Sequence, residues 1–322
     1  MTLSKHREAL LALAIVLLIG VIAVRFPAFI RPANLASVFN DTAPLIVLAI
    51  GQMIVILTKC IDLSMAATLA LCGMVAALLN GAGVPLALIL LAVTALGAAL
   101  GAVNGVLVWK VGIPSIVVTL GTMTIYRGTI FLMTDGAWVN AHQMTDGFKA
   151  LPRAVILGLP VMSWIAIACI ALFAVVLTRT PLGRAFYAVG GNPHAAVYAG
   201  IDVGRTQFLA FAIAGALAGL TGYLWVARYA VAYVDIAGGF ELDVVAACVI
   251  GGVAIAGGSG TVAGVVLGAL FLGVMKNALP VVGISPFWQL AISGSAIILA
   301  VAFNATQSRP KGRIILKSAE PQ

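Results

Sequence analysis

Apolar runs of about twenty residues follow one another along almost the whole chain, each ended by glycine, proline or charge. A run of that length crosses the ~30 Å hydrocarbon core of a bilayer as an α-helix. Backbone polar groups find no water there, so a spanning segment must satisfy them internally, and continuous apolar runs select helices over barrel strands. Ten candidate spans result, at 8–24, 42–58, 63–80, 84–108, 115–133, 159–178, 206–227, 243–258, 261–279 and 286–304. The eighth is short and glycine-rich, which suits a broken or partly inserted helix and leaves the count at nine or ten. Composition leaves little else to fold: 62% of residues are hydrophobic and only 9% are charged. Soluble domains carry roughly 25% charged residues. The expected class is all-α, a polytopic helical membrane protein of about ten transmembrane helices.

Basic residues orient such a chain. With the amino terminus inside, Lys5, Arg7, Lys59, Lys110, Arg179, Arg184, Arg205, Arg309, Lys311, Arg313 and Lys317 fall on the cytoplasmic side. Arg25, Arg31, Lys149, Arg153 and Arg228 fall outside, and Arg127 and Lys276 fall within spans. Eleven against five obeys the positive-inside bias. The basic tail lands inside only after an even number of crossings, which favours ten over nine and puts both termini in the cytoplasm. The net charge of +8 is scattered singly and makes no stripe for nucleic acid. Lys5, His6 and Arg7 ahead of an apolar run mimic a signal peptide, but no small-x-small cleavage site follows, and an uncleaved first span is expected. Cys60, Cys72, Cys169 and Cys248 have no paired spacing and read as small buried hydrophobes.

The most informative loop runs from Arg179 to Arg205, on the expected cytoplasmic side. Asn192 is a favoured N-cap, Pro193 suits the first helical position, Ala195, Ala196 and Ala199 are strong helix formers, and Gly200 can end a helix. A separate helix of about two turns is expected there, and one so short must pack on something. A fainter feature is an internal echo. Asn104 precedes Gly112-Ile113-Pro114-Ser115, and Asn277 precedes Gly283-Ile284-Ser285-Pro286. The two motifs fall on opposite sides of the membrane, as inverted repeats require; chance similarity of glycine-rich segments accounts for them equally well.

The stretch from Thr180-Pro181-Leu182-Gly183-Arg184 through Gly190, Gly191, Asn192, Pro193, His194, Ala195 and Ala196 to Gly200-Ile201 resembles the coupling segment of ribose-type ABC importer permeases, in the branched-chain-amino-acid/ribose permease superfamily. Ile61-Asp62-Leu63-Ser64 is similar to that family's Gly-Ile-Asp-Leu-Ser motif, with Cys60 in place of its glycine. Asn104-Gly105, Thr119-Leu120-Gly121-Thr122, Tyr126-Arg127-Gly128, Glu241-Leu242-Asp243, Val249-Ile250-Gly251-Gly252, Gly257-Gly258-Ser259-Gly260 and Ser285-Pro286-Phe287-Trp288-Gln289 also resemble family patterns, in order, over most of the chain. The resemblance implies an inverted-repeat, type II importer-like architecture in a bacterial cytoplasmic (inner) membrane. Residues 1–308 would be the permease domain, with 179–205 as its coupling loop, and 309–322 a basic cytoplasmic tail. It also implies a cytoplasmic ATPase that binds ATP and Mg, a periplasmic or lipid-anchored sugar-binding protein, and a second permease copy or paralogue. His194 departs from the acidic residue common in the family. Cys60 with Met65-Ala66-Ala67 is similar to members that take up rhamnose; ribose, another five- or six-carbon sugar, or a furanosyl signalling molecule remain open.

Polar residues within spans mark the candidate pathway, because ionisable groups there are expensive and face a cavity or a partner. They are Asp62, Ser64, Asn104, Thr119, Arg127 and Asn277; Ser64 is placed to cap the third span, and Arg127 to reach Asp135 or a buried carboxylate. Helix-terminus stabilisation and helix packing explain the same residues as well. Arg228, Asp235, Glu241 and the loop 134–158 are candidates for docking a binding protein, against a reading as solvated loop charge. Gly251-Gly252 and Gly257-Gly258 suggest a kink or an irregular turn facing a cavity. No Gly-x-x-x-x-Gly-Lys-[Ser/Thr] loop occurs, so the sequence carries no phosphate-binding motif of its own. An ion-coupled sugar transporter needs a midplane carboxylate, and the acids fall at expected helix ends. An intramembrane serine hydrolase at Ser259 lacks a histidine within a span, since His142 and His194 lie in loops.

Overall fold

The computed structural model describes residues 2–281 continuously, with side chains from Glu8 onward, together with positions 283, 288, 291, 294 and 295. The expected tenth span at 286–304, the Ser285-to-Gln289 motif and the tail 309–322 lie outside the described residues, those single positions apart.

The described chain is helical almost throughout: α1 Thr2–Arg25, α2 Pro32–Leu57, α3 Met65–Gly81, α4 Leu86–Val106, α5 Ser115–Thr134, α6 Asp146–Arg153, α7 Val161–Arg179, α8 Pro181–Gly191, α9 Pro193–Tyr198, α10 Val203–Tyr229, α11 Phe240–Ile250 and α12 Val262–Val281. Two small antiparallel pairs, β1 (Val139–Asn140) with β4 (Val231–Ala232) and β2 (Val155–Ile156) with β3 (Leu159–Pro160), stitch the loop ends. Among the described residues, seven helices are long and apolar enough to cross a membrane: α1, α2, α4 with the π turn Leu107–Val111 that extends it, α5, α7, α10 and α12. Helix α3 is apolar but shorter, at 17 residues.

Helix α2 is largely apolar and buried on all sides from Thr42 to Leu57, which makes it the central post of the bundle. Helix α10 is the second post and packs along α4 through glycine. A Cβ on Gly215 would lie 2.2 Å from the Gly97 carbonyl oxygen, and one on Gly97 2.2 Å from the Gly215 carbonyl. Gly101 and Gly219 extend the seam in both directions, so the two backbones touch with no side chain between them. Helix α1 lies at the periphery, with Ile15 and Ile22 against Val274 and Ala278 of α12.

One expectation changes and two open features take form. The second span begins at Pro32, ten residues before the expected 42, because Asn40 and Asp41 are accommodated inside a helix and do not end it. The eighth span is a broken crossing: α11 has 11 residues, about 16 Å of helix, and a glycine turn carries the chain on to the end of α2. It runs antiparallel to α12, Ala247 opposite Gly268 and Gly251 opposite Gly264, and the glycine turn completes the way across. The loop 134–158 is folded: the side chains of Asn80 and Thr145 hydrogen-bond at 2.9 Å, the Tyr223 hydroxyl donates to the Phe148 carbonyl at 3.0 Å, and Arg153 donates to the Arg228 carbonyl.

Candidate functional site

The 179–205 loop holds two helices where one is expected. Thr180 caps α8, its hydroxyl accepting from Gly183 N–H at 3.2 Å, and Pro181 takes the first position. Asn192 caps α9 in the same way, accepting from Ala195 N–H at 3.1 Å, with Pro193 next. Thr180-Pro181 is thus the same start signal as Asn192-Pro193, and it is the signal the sequence reading passed over. Gly200, at φ +78°, closes α9, and Ile201 N–H donates to the Ala196 carbonyl at 2.9 Å. Of α9 only Ala196 is buried; His194, Ala195, Val197 and Tyr198 face outward, Tyr198 at 93% exposure. Arg184 is exposed on α8.

Gly190 and Gly191 belong to the end of α8, where the loop is fastened to the membrane bundle. A Cβ on Gly190 would lie 1.7 Å from the Leu57 carbonyl oxygen and 2.3 Å from Gly258 N, so only glycine fits. Gly258 N–H donates to that same Leu57 carbonyl at 3.1 Å, and the Tyr187 hydroxyl donates to the Gly260 carbonyl at 2.9 Å. Burial pushes the Tyr187 phenol above its ordinary range. Gly257 and Gly258 do form an irregular turn, at φ +83° and +73°. The turn faces backbone, at Gly190, Gly191 and Lys59, and not the cavity expected of it. The end of α2, the loop helices and the turn after α11 therefore share one junction.

Beyond that junction the chain breaks between α2 and α3, and the break is polar. Asp62 Oδ1 accepts from Ser64 N–H at 2.8 Å and from the Ser64 hydroxyl at 2.6 Å. Asn104 Nδ2 donates to the same hydroxyl at 2.9 Å. Ser64 consequently makes no side-chain cap for α3, contrary to expectation. The Gln52 amide, turned to suit its neighbours, donates to the Asp62 carbonyl (3.1 Å) and accepts from Asp62 N–H (3.2 Å). From α5, Ser115 accepts from Ile61 N–H at 3.1 Å, and the Thr119 hydroxyl donates to the Ser115 carbonyl at 2.9 Å. Asp62, Ser64, Asn104 and Thr119 are all buried, and Asn104 Oδ1 has no hydrogen-bond partner.

The remaining candidates are not part of this cluster. Arg127 pairs with Asp235 at 3.2 Å and donates to the Val234 (2.8 Å) and Ile236 (3.2 Å) carbonyls, so its partner is not Asp135. Asp235 itself stays exposed. Arg228 pairs with Asp41 of α2, beside Asn40 and Ser163, and is mostly buried. Asn277 donates to Gly273 in its own helix at 2.9 Å. Glu241 is half-buried with Oε2 unpartnered. Asp243 and Lys276 form an ion pair between α11 and α12 that the sequence reading did not put together.

A many-span bundle, a capped outward-facing helix and a buried polar break describe a membrane permease. Residues 34–301 match the family model for the branched-chain amino acid transport system permease component, and the chain belongs to that family. It is 37% identical to the autoinducer 2 import system permease protein LsrC of Enterobacter sp. (strain 638), over 92% of this chain and 86% of that one. It is also 37% identical to the ribose import permease protein RbsC of Escherichia coli (strain K12), over 90% of this chain and 91% of that one. The RbsC of Haemophilus influenzae is 34% identical over 90% of each. No solved structure matches the chain.

Proposed function

We propose that this permease is the membrane subunit of an ATP-driven sugar importer, working by alternating access in a bacterial cytoplasmic membrane with both termini inside. Helix α9 carries the reading: it is capped at both ends, holds one buried residue and presents His194, Ala195, Val197 and Tyr198 outward. Six residues make no stable helix in water alone, so an exposed one is kept for a partner surface. A cytoplasmic ATPase subunit, which would bind ATP and Mg, is that partner, and Arg184 lies on the neighbouring helix. Asp62, Ser64 and Asn104 contact the solute, with Thr119 fixing the break they sit on; Arg127 and Asn277 border the path. Exposed Asp235 and the folded 134–158 loop face the sugar-binding protein, with Arg228 and Glu241 behind them. A second permease copy or paralogue completes the pathway in the lipid.

Replacing Asn192-Pro193 by Gly-Gly removes the cap and the fixed first residue of α9. We expect ATPase association to be lost while the variant keeps wild-type expression and elution behaviour in detergent. Normal association would show that another surface does the coupling. Uptake is measured in proteoliposomes with partner ATPase and binding protein, over a panel of ribose, autoinducer 2 and rhamnose. ATP-independent uptake, or uptake abolished by proton-gradient collapse at constant ATP, would sink the importer reading in favour of ion coupling.

A further inference from the structure

The two ends of the bundle carry matching polar breaks. Asp62-Leu63-Ser64 leads into the short helix α3, and Glu241-Leu242-Asp243 opens the shorter α11. Each short helix is followed by a long one, α4 and α12. In each case the third residue of the triplet reaches that long helix: Ser64 to Asn104, Asp243 to Lys276. Asn104 stands eight residues before Gly112 and Lys276 seven before Gly283, and both glycines are left-handed, at φ +79° and +78°. The π turn at Leu107–Val111 inserts a residue into the first copy and accounts for the difference. Helix α10 measures the separation. Gln207 donates to the Thr58 carbonyl beside the first break, and Trp225 stacks edge-on against Phe240 at the second. The contacts are eighteen residues apart, about 27 Å of helix, close to the thickness of the hydrocarbon core.

We infer that Glu241, Asp243 and Lys276 form a second polar station on the solute path, the counterpart near the opposite membrane face of Asp62, Ser64 and Asn104, and that it takes a neutral polyhydroxyl solute. Among the described residues, two buried side-chain oxygens lack any hydrogen-bond partner: Asn104 Oδ1 in the first station and Glu241 Oε2 in the second. Bare buried acceptors are costly, and a hydroxyl hydrogen satisfies each. An ion pair alone explains neither oxygen. The Lys276 ammonium has three donors and gives one to Asp243, and its side chain is one-third exposed. The Asp243–Lys276 pair is neutral as a unit, which offers phosphorylated sugars no net positive charge and suits uncharged ones. Phe240, its ring centroid 5.9 Å from Lys276 Nζ, offers an apolar face to the same space.

The inference rests on the permease reading, and its test separates the two. The four native cysteines are buried, so background labelling of the full chain in membrane vesicles is low. Lys276→Cys and Glu241→Cys are made singly and exposed to a membrane-impermeant methanethiosulfonate. Leu91→Cys, on the outward face of α4, is the lipid-facing comparison. We expect both station cysteines to react at least about tenfold faster than Cys at 91, because the reaction needs water and thiolate. Modification should also reduce ribose uptake by the reconstituted importer. Reaction at neither position overturns the proposal, as does complete modification with uptake unchanged. Glu241→Cys leaves the Asp243–Lys276 pair intact and decides alone if Lys276→Cys does not assemble. Labelling needs no ATP, so fast labelling without ATP-dependent uptake supports the station and strikes only the importer reading.

Discussion

The seam between α4 and α10 and the break between α2 and α3 are both buried, but they are held by different means. At the seam, Gly97 and Gly215 press backbone on backbone, with no side chain and no polar group to rearrange. At the break, Asp62, Ser64, Asn104, Gln52 and Ser115 hold the chain through hydrogen bonds, and one acceptor is left over. Close-packed apolar contacts have one good arrangement, whereas hydrogen bonds can be exchanged for bonds to a solute or to water. The seam is suited to be the fixed part of a transporter and the break the part that changes partners.

The largest effect should come from filling the seam. Gly215→Leu puts a side chain where even a Cβ would lie 2.2 Å from a carbonyl oxygen. The cost should exceed the ~1–3 kcal/mol of ordinary overpacking. Size-exclusion chromatography of the tagged protein should show no monodisperse peak. Gly121→Ala is the contrast: nothing lies within 4 Å of its Cβ position, and helix propensity alone should leave stability equal or raised by ~0.5–1 kcal/mol. A folded Gly215→Leu would mean that the helices can slide past each other, and the seam would lose its role as the fixed element.

An intermediate effect is expected at the break. Ser64→Ala takes one of two bonds from Asp62 Oδ1 and a hydroxyl partner from Asn104. Losing buried hydrogen bonds of this kind costs ~1–3 kcal/mol. The protein should still assemble, with a lower melting temperature and sugar uptake reduced about tenfold, a factor that corresponds to ~1.4 kcal/mol. Ser64→Thr keeps the hydroxyl and should recover most of the uptake. Equal loss in both variants would show that volume at this position matters and the hydrogen bonds do not.

Much of this was open to reading from the residues alone. Helix class, most span limits and the capped helix at Pro193–Tyr198 follow from apolar run length and from a cap-proline pair, both local signals. The misses share one cause. Asp41 looks like the end of a span until Arg228, far along the chain, is found beside it. Arg127 finds Asp235 in place of nearby Asp135 for the same reason. Asp62, Ser64 and Asn104 each stood out as polar residues in apolar surroundings, but their joining crosses from α3 to α4 and is written in packing. Helix α11 stops early because its glycines close on α12 by contacts that no run length reveals.

The junction of Gly190, Leu57 and Gly258 combines both modes, and it tests whether the distinction carries over to coupling. Its backbone approach is as tight as the seam, yet one side-chain bond, from Tyr187 to the Gly260 carbonyl, ties α8 to the turn after α11. Tyr187→Phe removes only that bond, at a cost of ~0.5–1.5 kcal/mol, and leaves the ring and the glycine contacts in place. The ATPase docking proposed for α9 should be unchanged, since α9 has its own caps. The sensitive quantity is ATP hydrolysed per sugar imported, which should rise about twofold as the loop moves less faithfully with the bundle; the side-chain bond would transmit under 1 kcal/mol of the coupling. If hydrolysis and uptake fall together at a constant ratio, the bond only stabilises the fold, and the backbone contacts at Gly190 carry the coupling alone.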